Sequence, residues 1–224
     1  MNNKGKVVLV FGSSGLVGSL LVDELINSAS FSLVKLFVRK KSGNTHTKVQ
    51  EIEVDFDKLS LVASEMKGDV VFICLGTTMA KAGSKEAFYK VDHTYCHEAA
   101  RLSAANGVGQ VLLISSIGAD AASLVYYSKV KGEVERDIRN LNFESVNIVR
   151  PSLLLGDRKE NRLGEKIFVT VTKYLPFIFI GPLKKYRPIE AHNVAKAMVN
   201  ISLTQQEGCH IFESEELQKI ALHS

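Results

Sequence analysis

Cysteine is scarce in this 224-residue chain: Cys74, Cys96 and Cys209 are odd in number and widely spaced, and no CxxC pair occurs. That excludes a disulfide framework and reads as the reduced thiols of a cytosolic protein. Proline occurs only four times, tryptophan not at all, and no low-complexity tract, internal repeat or linker interrupts the chain. Long apolar runs are missing too. The longest, residues 174–183, is ten residues with two prolines, about half of what spans a bilayer, so no membrane partner is expected. The apolar stretch in MNNKGKVVLVFGSSG is too short for a signal-peptide core and runs straight into glycines. No run of lysine and arginine is dense enough to argue for DNA or RNA, and a formal charge of +4 is explained by an anionic small ligand alone. The expected compartment is the cytoplasm.

What is present is the balance of an ordinary globular protein, with 46% apolar and 23% charged residues. The length suits one α/β domain with a sizeable core and is too short for two comfortable ones. Strand and helix patterns alternate almost to the end. KVVLVF at residues 6–11 is a continuous apolar run, as in a parallel strand covered on both faces. The following segment, residues 16–27, carries Val17, Leu21 and Leu25 on one helical face. Further strands are predicted at 32–39, 49–56 (the most strictly alternating, hence nearest an edge), 69–76, 110–115 and 145–155. A short final strand at 209–213 is placed at the sheet edge. Helices are predicted at 57–66, 84–106, 125–141, 163–174 and 191–203. This alternation predicts an α/β fold with a doubly wound parallel sheet, which the glycine-rich turn at residues 12–18 makes an NAD(P)-binding Rossmann fold. One domain is expected over residues 1–224, with 1–155 as the dinucleotide-binding core and 156–224 as a small substrate cap and the last sheet-edge elements.

Residues 12–18, GSSGLVG, place Gly12, Gly15 and Gly18 in a GxxGxxG turn between an apolar strand and an amphipathic helix. Gly12 permits the tight turn, Gly15 lets backbone approach a pyrophosphate, and Gly18 lets the helix pack close to the strand. The phosphates would lie on the free N–H groups and positive dipole end of that helix. The second strand then separates two cofactors. An NAD binder usually ends it with an acidic residue for the ribose 2′-hydroxyl. Here it ends Val38-Arg39-Lys40-Lys41, and Arg39 stands where a guanidinium pairs with a 2′-phosphate. NADP(H) is favoured over NAD(H).

Tyr126 and Tyr127 are adjacent, and spacing chooses between them. Only Tyr127 has a lysine, Lys131, four residues on, which puts phenol and ammonium on one helical face a turn apart. At ~4 Å such a pair is worth about 4 kcal/mol at an effective dielectric near 20, enough to assist proton transfer.

With GSSGLVG, LISSIGAD and YSKVK in place, nearly the whole chain resembles an atypical short-chain dehydrogenase/reductase. Within that superfamily it resembles the epimerase-like, Tat-interacting oxidoreductase-like proteins, through CLGTTMAKAG, SSIGAD, VKGEVE and VRPSLLLGDRKENR. The resemblance implies Tyr127 as general acid/base, Lys131 as the holder of the nicotinamide ribose that also tunes Tyr127, and Ser116 as the residue that positions the substrate oxygen. It also implies cofactor contacts from Ser14, Gly15, Leu16, Val17, Arg39, Lys40, Leu75, Gly76, Leu154 and Arg162, with Asp55 at the adenine edge.

Other groupings are weaker. His93, Cys96 and His97 sit within one helix, but no further ligand accompanies them and no metal is expected. Cys74 reads as an inert core thiol. The basic residues Arg158, Lys159, Arg162, Lys184, Lys185 and Arg187 form either a solvated loop or a patch steering an anionic substrate. Phe177, Ile178, Phe179 and Ile180 read first as core, with a pocket wall and the patch of a homodimer left open. The function expected is an NADP(H)-dependent oxidoreductase acting on a small carbonyl or alcohol. The alternative is an NADP(H)-binding regulatory or redox-sensor protein that acts through protein partners with little turnover. A third reading, epimerisation of a nucleotide-linked sugar, is disfavoured by the short C-terminal segment.

Overall fold

A computed structural model describes residues 5–156, 186–204 and 206–222. Seven strands form one parallel sheet in the order β3-β2-β1-β4-β5-β6-β9. They are β1 (Lys6–Phe11), β2 (Phe31–Val38), β3 (Val49–Glu53), β4 (Val70–Ile73), β5 (Gln110–Ile114), β6 (Ser145–Arg150) and β9 (Gly208–Glu213). A separate parallel pair joins β7 (Leu154–Leu155) to β8 (Ile189–Glu190). The chain leaves β1 toward β2 on one side and returns to β4 on the other, so the strand order reverses beside β1. In open α/β sheets ligands bind at that crevice, outside the carboxyl ends of the strands. β3 is an edge strand, as its alternation predicts, and β9 is the other edge.

The continuous apolar strands divide their side chains between two layers, because successive residues of a strand point to opposite faces. Val8 and Val10 of β1 face the layer of helix α1 (Leu16–Asn27), where Leu21 and Leu25 are buried. Leu9 and Phe11 face the other layer, with Ala99, Ala100, Val134 and Ile138. Each fully buried valine, leucine, isoleucine or phenylalanine among them contributes roughly 1.5–3 kcal/mol. Helix α6 (Ala191–Leu203) packs beside α1 through Val194, Ala195 and Met198 and completes the first layer. Phe11 and Phe37 stack with ring centroids 4.4 Å apart, just below the strand ends.

Several boundaries differ from the sequence expectation. The strand predicted over 49–56 stops at Glu53, because Asp55 caps the next turn by accepting from Asp57 N–H; that turn opens a kinked 3₁₀ segment, Phe56–Glu65, rather than an α-helix. The strand predicted over 145–155 ends at Arg150, since Pro151 brings no N–H donor to continue it. Its last residues form β7 instead. The helix predicted over 84–106 is divided. After α2 (Met79–Ala82), α3 (Lys85–Tyr89) starts behind the Ser84 hydroxyl, a π-helical turn covers Lys90–Thr94, and α4 (Tyr95–Ala105) follows. It ends before Gly107, at φ +81°, as its Asn-Gly signal predicts. Helix α5 (Tyr126–Arg139) lies where expected, and a helix not foreseen, α7 (Ser214–Leu222), closes the described chain. The helix predicted over 163–174, the apolar run 174–183, Arg158, Lys159, Arg162, Lys184 and Lys185 lie outside the described residues. Among the described residues no helix is long and apolar enough to cross a membrane.

Candidate active site

Because the sheet is parallel, its strands all deliver their carboxyl ends to one edge, and the described site residues gather there. Gly12 follows β1 at φ +89°, and a Cβ built on it would lie 2.5 Å from the Cys74 backbone; only glycine lets the turn press against the end of β4. On Gly18 a Cβ would sit 2.1 Å from the Gly12 carbonyl oxygen, so α1 rests directly on its own turn. Gly15 is the N-cap of α1 and no side chain caps that end. The N–H groups of Leu16 and Val17 therefore stand at an uncapped helix start, beside Ser14, where an anion is favoured. This cradle of bare backbone fits a dinucleotide pyrophosphate.

Arg39 and Lys40 come directly after β2 and are exposed. Phe37 is in register with Phe11, so Arg39 stands two residues past that pairing, level with the glycine turn. No hydrogen bond or ion pair among the described residues engages it. Asp55, beyond β3, is exposed and uses Oδ1 in its cap. Leu75 and Gly76 follow β4 against the glycine turn, and Gly156 brings the Leu154 turn to within 3.1 Å of Leu16, measured from a Cβ built on the glycine.

The catalytic candidates stand on the β5 side. Lys131 is 5% exposed, and its Nζ lies 2.7 Å from Asp92 Oδ1, itself fully buried. This is a close ion contact. The other Asp92 oxygen accepts from the Thr77 backbone at 2.8 Å. Burial pulls the Lys131 pKa down, but the Asp92 carboxylate, then Tyr127 and Cys96, outweigh it, and the ammonium is held above the usual lysine value. A Cβ on Gly76 would be 3.8 Å from Lys131 Nζ, which puts the ammonium beside the loop after β4.

Tyr127, one turn before Lys131, is 37% exposed and packs its ring near Phe88 at 5.7 Å between centroids. Tyr126 is tied down instead: its hydroxyl donates to the Lys85 carbonyl at 2.9 Å, and the Lys85 ammonium lies over its ring. The serines divide in the same way. Ser115 donates to the buried carboxylate of Glu135, whereas among the described residues Ser116 reaches only the Ile117 carbonyl, at 3.2 Å. Gly132 lets α5 press on the loop between Ser116 and Tyr127, since a Cβ there would lie 2.0 Å from Ala121 N.

Asp92 is the residue that the sequence reading missed. A signal existed: Phe88, Asp92, Cys96 and Ala99 follow a helical stripe, and a carboxylate on an otherwise apolar face needs a partner. His93 and His97 form no metal cluster. His93 Nε2 is 2.9 Å from Asp137, and its ring stacks on Tyr89 and His97. The Cys96 thiol is buried, with its pKa pushed up to about 12, and burial likewise raises that of Cys74, which stands just past the end of β4 rather than within it. Among the described residues no group of three or more His, Cys, Asp or Glu converges on a metal site. Two surface hollows, of 260 Å³ between Phe56 and Glu98 and 490 Å³ between Asn200 and Ile220, contain none of the site residues named above.

A parallel sheet in this order with a glycine turn at its reversal point defines an NAD(P)-binding Rossmann fold. Comparison with known proteins gives the particular family: the chain matches the NAD(P)H-binding family over residues 12–203 and belongs to it. It is 40% identical to the rat protein HTATIP2 over 166 residues, covering 72% of this chain and 68% of the relative. It is 35% identical over 199 residues to a Candida albicans protein named FMP52, mitochondrial, covering 86% of each. Among solved structures it resembles MoeE5 in complex with UDP-glucose and NAD, with a TM-score of 0.69, 17% identity, and coverage of 96% of this chain and 80% of that one. That likeness is one of fold.

Proposed function

We propose that the protein is an NADP(H)-dependent oxidoreductase that moves hydride between nicotinamide and a small carbonyl or alcohol, with Tyr127 as general acid and base. The observation that carries the reading is the buried Lys131 ammonium, held against Asp92 one helical turn below an exposed phenol. A buried ion pair stabilises a fold no better than apolar side chains of similar volume. Its place beside the strand ends therefore points to chemistry.

When bound, the cofactor supplies or takes up the hydride. The chain does the rest. The glycine turn and the uncapped start of α1 bind the pyrophosphate, and Arg39 with Lys40 meets a 2′-phosphate. Asp55 has a second carboxylate oxygen for the adenine edge, and Leu75, Gly76 and Leu154 flank the cleft. Lys131 holds the nicotinamide ribose, and its charge offsets the negative charge that develops as Tyr127 gives up its proton. Ser116 orients the substrate oxygen, and Tyr127 protonates that oxygen as the carbonyl carbon is reduced. Asp92 keeps the ammonium in place. The chain acts as a single domain, and cytoplasmic residence belongs to the same proposal; a tagged chain that fractionates with mitochondria, as the name of the Candida relative suggests for that protein, would overturn that part.

The test is NADPH oxidation at 340 nm across a carbonyl panel. Tyr127→Phe removes one oxygen and should leave fold and NADPH affinity within about 0.5–1.5 kcal/mol. Turnover should fall roughly 10²–10⁴-fold, and Tyr126→Phe should lose far less. Activity that survives Tyr127→Phe would mean another proton donor. A wild-type protein that turns over nothing, while NADPH alters its binding to a protein partner, would favour the sensor.

A further inference from the structure

Tyr127, Lys131 and Glu135 follow at intervals of four along α5 and so share one face at successive turns, roughly 6 Å apart along the axis. Glu135 is 1% exposed, and its carboxylate takes four donated hydrogen bonds. Ser115 Oγ and Arg150 Nε donate to Oε1, while Arg150 Nη2 and Arg139 Nη2 donate to Oε2. A carboxylate has about four lone-pair sites, so none is left for a ligand.

The placement of these donors is informative. Ser115 is the first residue past β5, and Arg150 is the last of β6. Ile114 is in register with Val149, so the two stand level. One carboxylate on the catalytic helix therefore ties together the ends of two neighbouring strands. From one end leaves Ser116, and from the other the turn that carries Leu154. The Ile117 N–H donates to the Pro151 carbonyl at 3.0 Å and joins the two segments directly. The planar, bidentate Arg150 contact fixes direction as well as distance.

We infer that Glu135 is a positioning residue that sets Ser116 and the Leu154 turn relative to Tyr127 and Lys131, and that turnover requires it although it touches neither substrate nor cofactor. Its consequence for turnover rests on the proposed oxidoreductase reading; its hold on the two strand ends does not. A misplacement of about 1 Å in a reacting constellation can lower rate on the order of 10²-fold.

The test uses two variants of the full chain. Glu135→Gln keeps size and an acceptor but leaves Arg150 without its counter-charge. Glu135→Gln with Arg150→Gln removes the buried carboxylate and its half-buried partner and leaves only Arg139, whose exposed side chain stays solvated. Amide hydrogen exchange is followed over residues 114–118 and 151–156, with β1 as reference, beside Tm, NADPH affinity, kcat and KM. In the double variant, exchange in both segments should rise about tenfold or more while β1 is unchanged. Its kcat should fall about 10- to 100-fold with KM within about threefold. A fall in Tm alone, with exchange and kcat as in the wild type, overturns the inference, as does normal exchange with any activity. If the wild type turns over no carbonyl, the proposed reaction fails. Exchange then decides by itself: acceleration in the two segments supports the positioning role, and its absence refutes it.

Discussion

The carboxyl edge of the sheet is built in two contrasting halves. Around β1 and β2 it is bare: an uncapped helix start, glycines that press backbone on backbone, and an Arg39 side chain with no partner among the described residues. Around β5, β6 and α5 the central charges are paired: buried Lys131 with buried Asp92, and buried Glu135 with the half-buried Arg150 and the exposed Arg139. In the function proposed above, the difference follows from what each half has to meet. A polyanion brings its own charge, so the surface that receives it keeps donors free until it arrives. Proton transfer needs charge held in place before the substrate binds, because reorientation during the reaction would add to the barrier.

Breaking the paired half should have the largest effect. Asp92→Asn strands a buried ammonium and should cost about 3–5 kcal/mol in denaturant melts. It should also move the alkaline limit. In the wild type, the net effect of burial, Asp92, Tyr127 and Cys96 raises the Lys131 pKa. The stability from its charge is then fully present below the unfolded lysine value and is lost only as pH rises through the higher folded one. With Asp92 neutralised, burial acts against a weaker opponent. Lys131 sheds its proton at lower pH, so turnover falls earlier on the alkaline side, while the stability deficit shrinks as the stranded ammonium is neutralised. An alkaline limb that does not move would show that Asp92 does not govern Lys131.

The free half should lose less and lose it selectively. Arg39→Ala should leave NADH affinity nearly unchanged and weaken NADPH by roughly 2–4 kcal/mol, or about 30- to 1000-fold, measured by calorimetry. Equal affinities in the unmodified protein would remove the NADP(H) preference. Gly18→Ala adds a methyl 2.1 Å from the Gly12 carbonyl, so α1 must shift off its turn. A stability loss of about 1–3 kcal/mol is expected, with weaker binding of both cofactors alike, because the disturbed contact is backbone common to both. A loss confined to NADPH would contradict the role given to the turn.

The same division governs how much could be read in advance. The free half is local. Three glycines between an apolar strand and an amphipathic helix, and an arginine at the next strand's end, are spelled out within 28 consecutive residues, from Gly12 to Arg39. The Tyr127–Lys131 spacing was equally legible, because helical periodicity alone decides which phenol shares a face with Lys131; Tyr126 is held by Lys85. The missed break after Arg150 was also local, since Pro151 announces it. The helix at Ser214–Leu222 carried its own signal in Glu215 and Glu216 of the first turn.

By itself, then, the sequence determined the strand–helix alternation, the glycine cradle and the phenol–ammonium pair, since each depends on spacing along one or two elements. Only the tertiary structure decided which carboxylates answer the buried cations. Asp92 meets Lys131 from across 39 positions, and Glu135 joins Ser115 to Arg150 across two strands. Local spacing can mark Asp92 as a carboxylate on an apolar face, but not which cation answers it. A buried charge is satisfied by whichever group the packed layers bring within about 3 Å, and that distance is set by the closed sheet and its helices together.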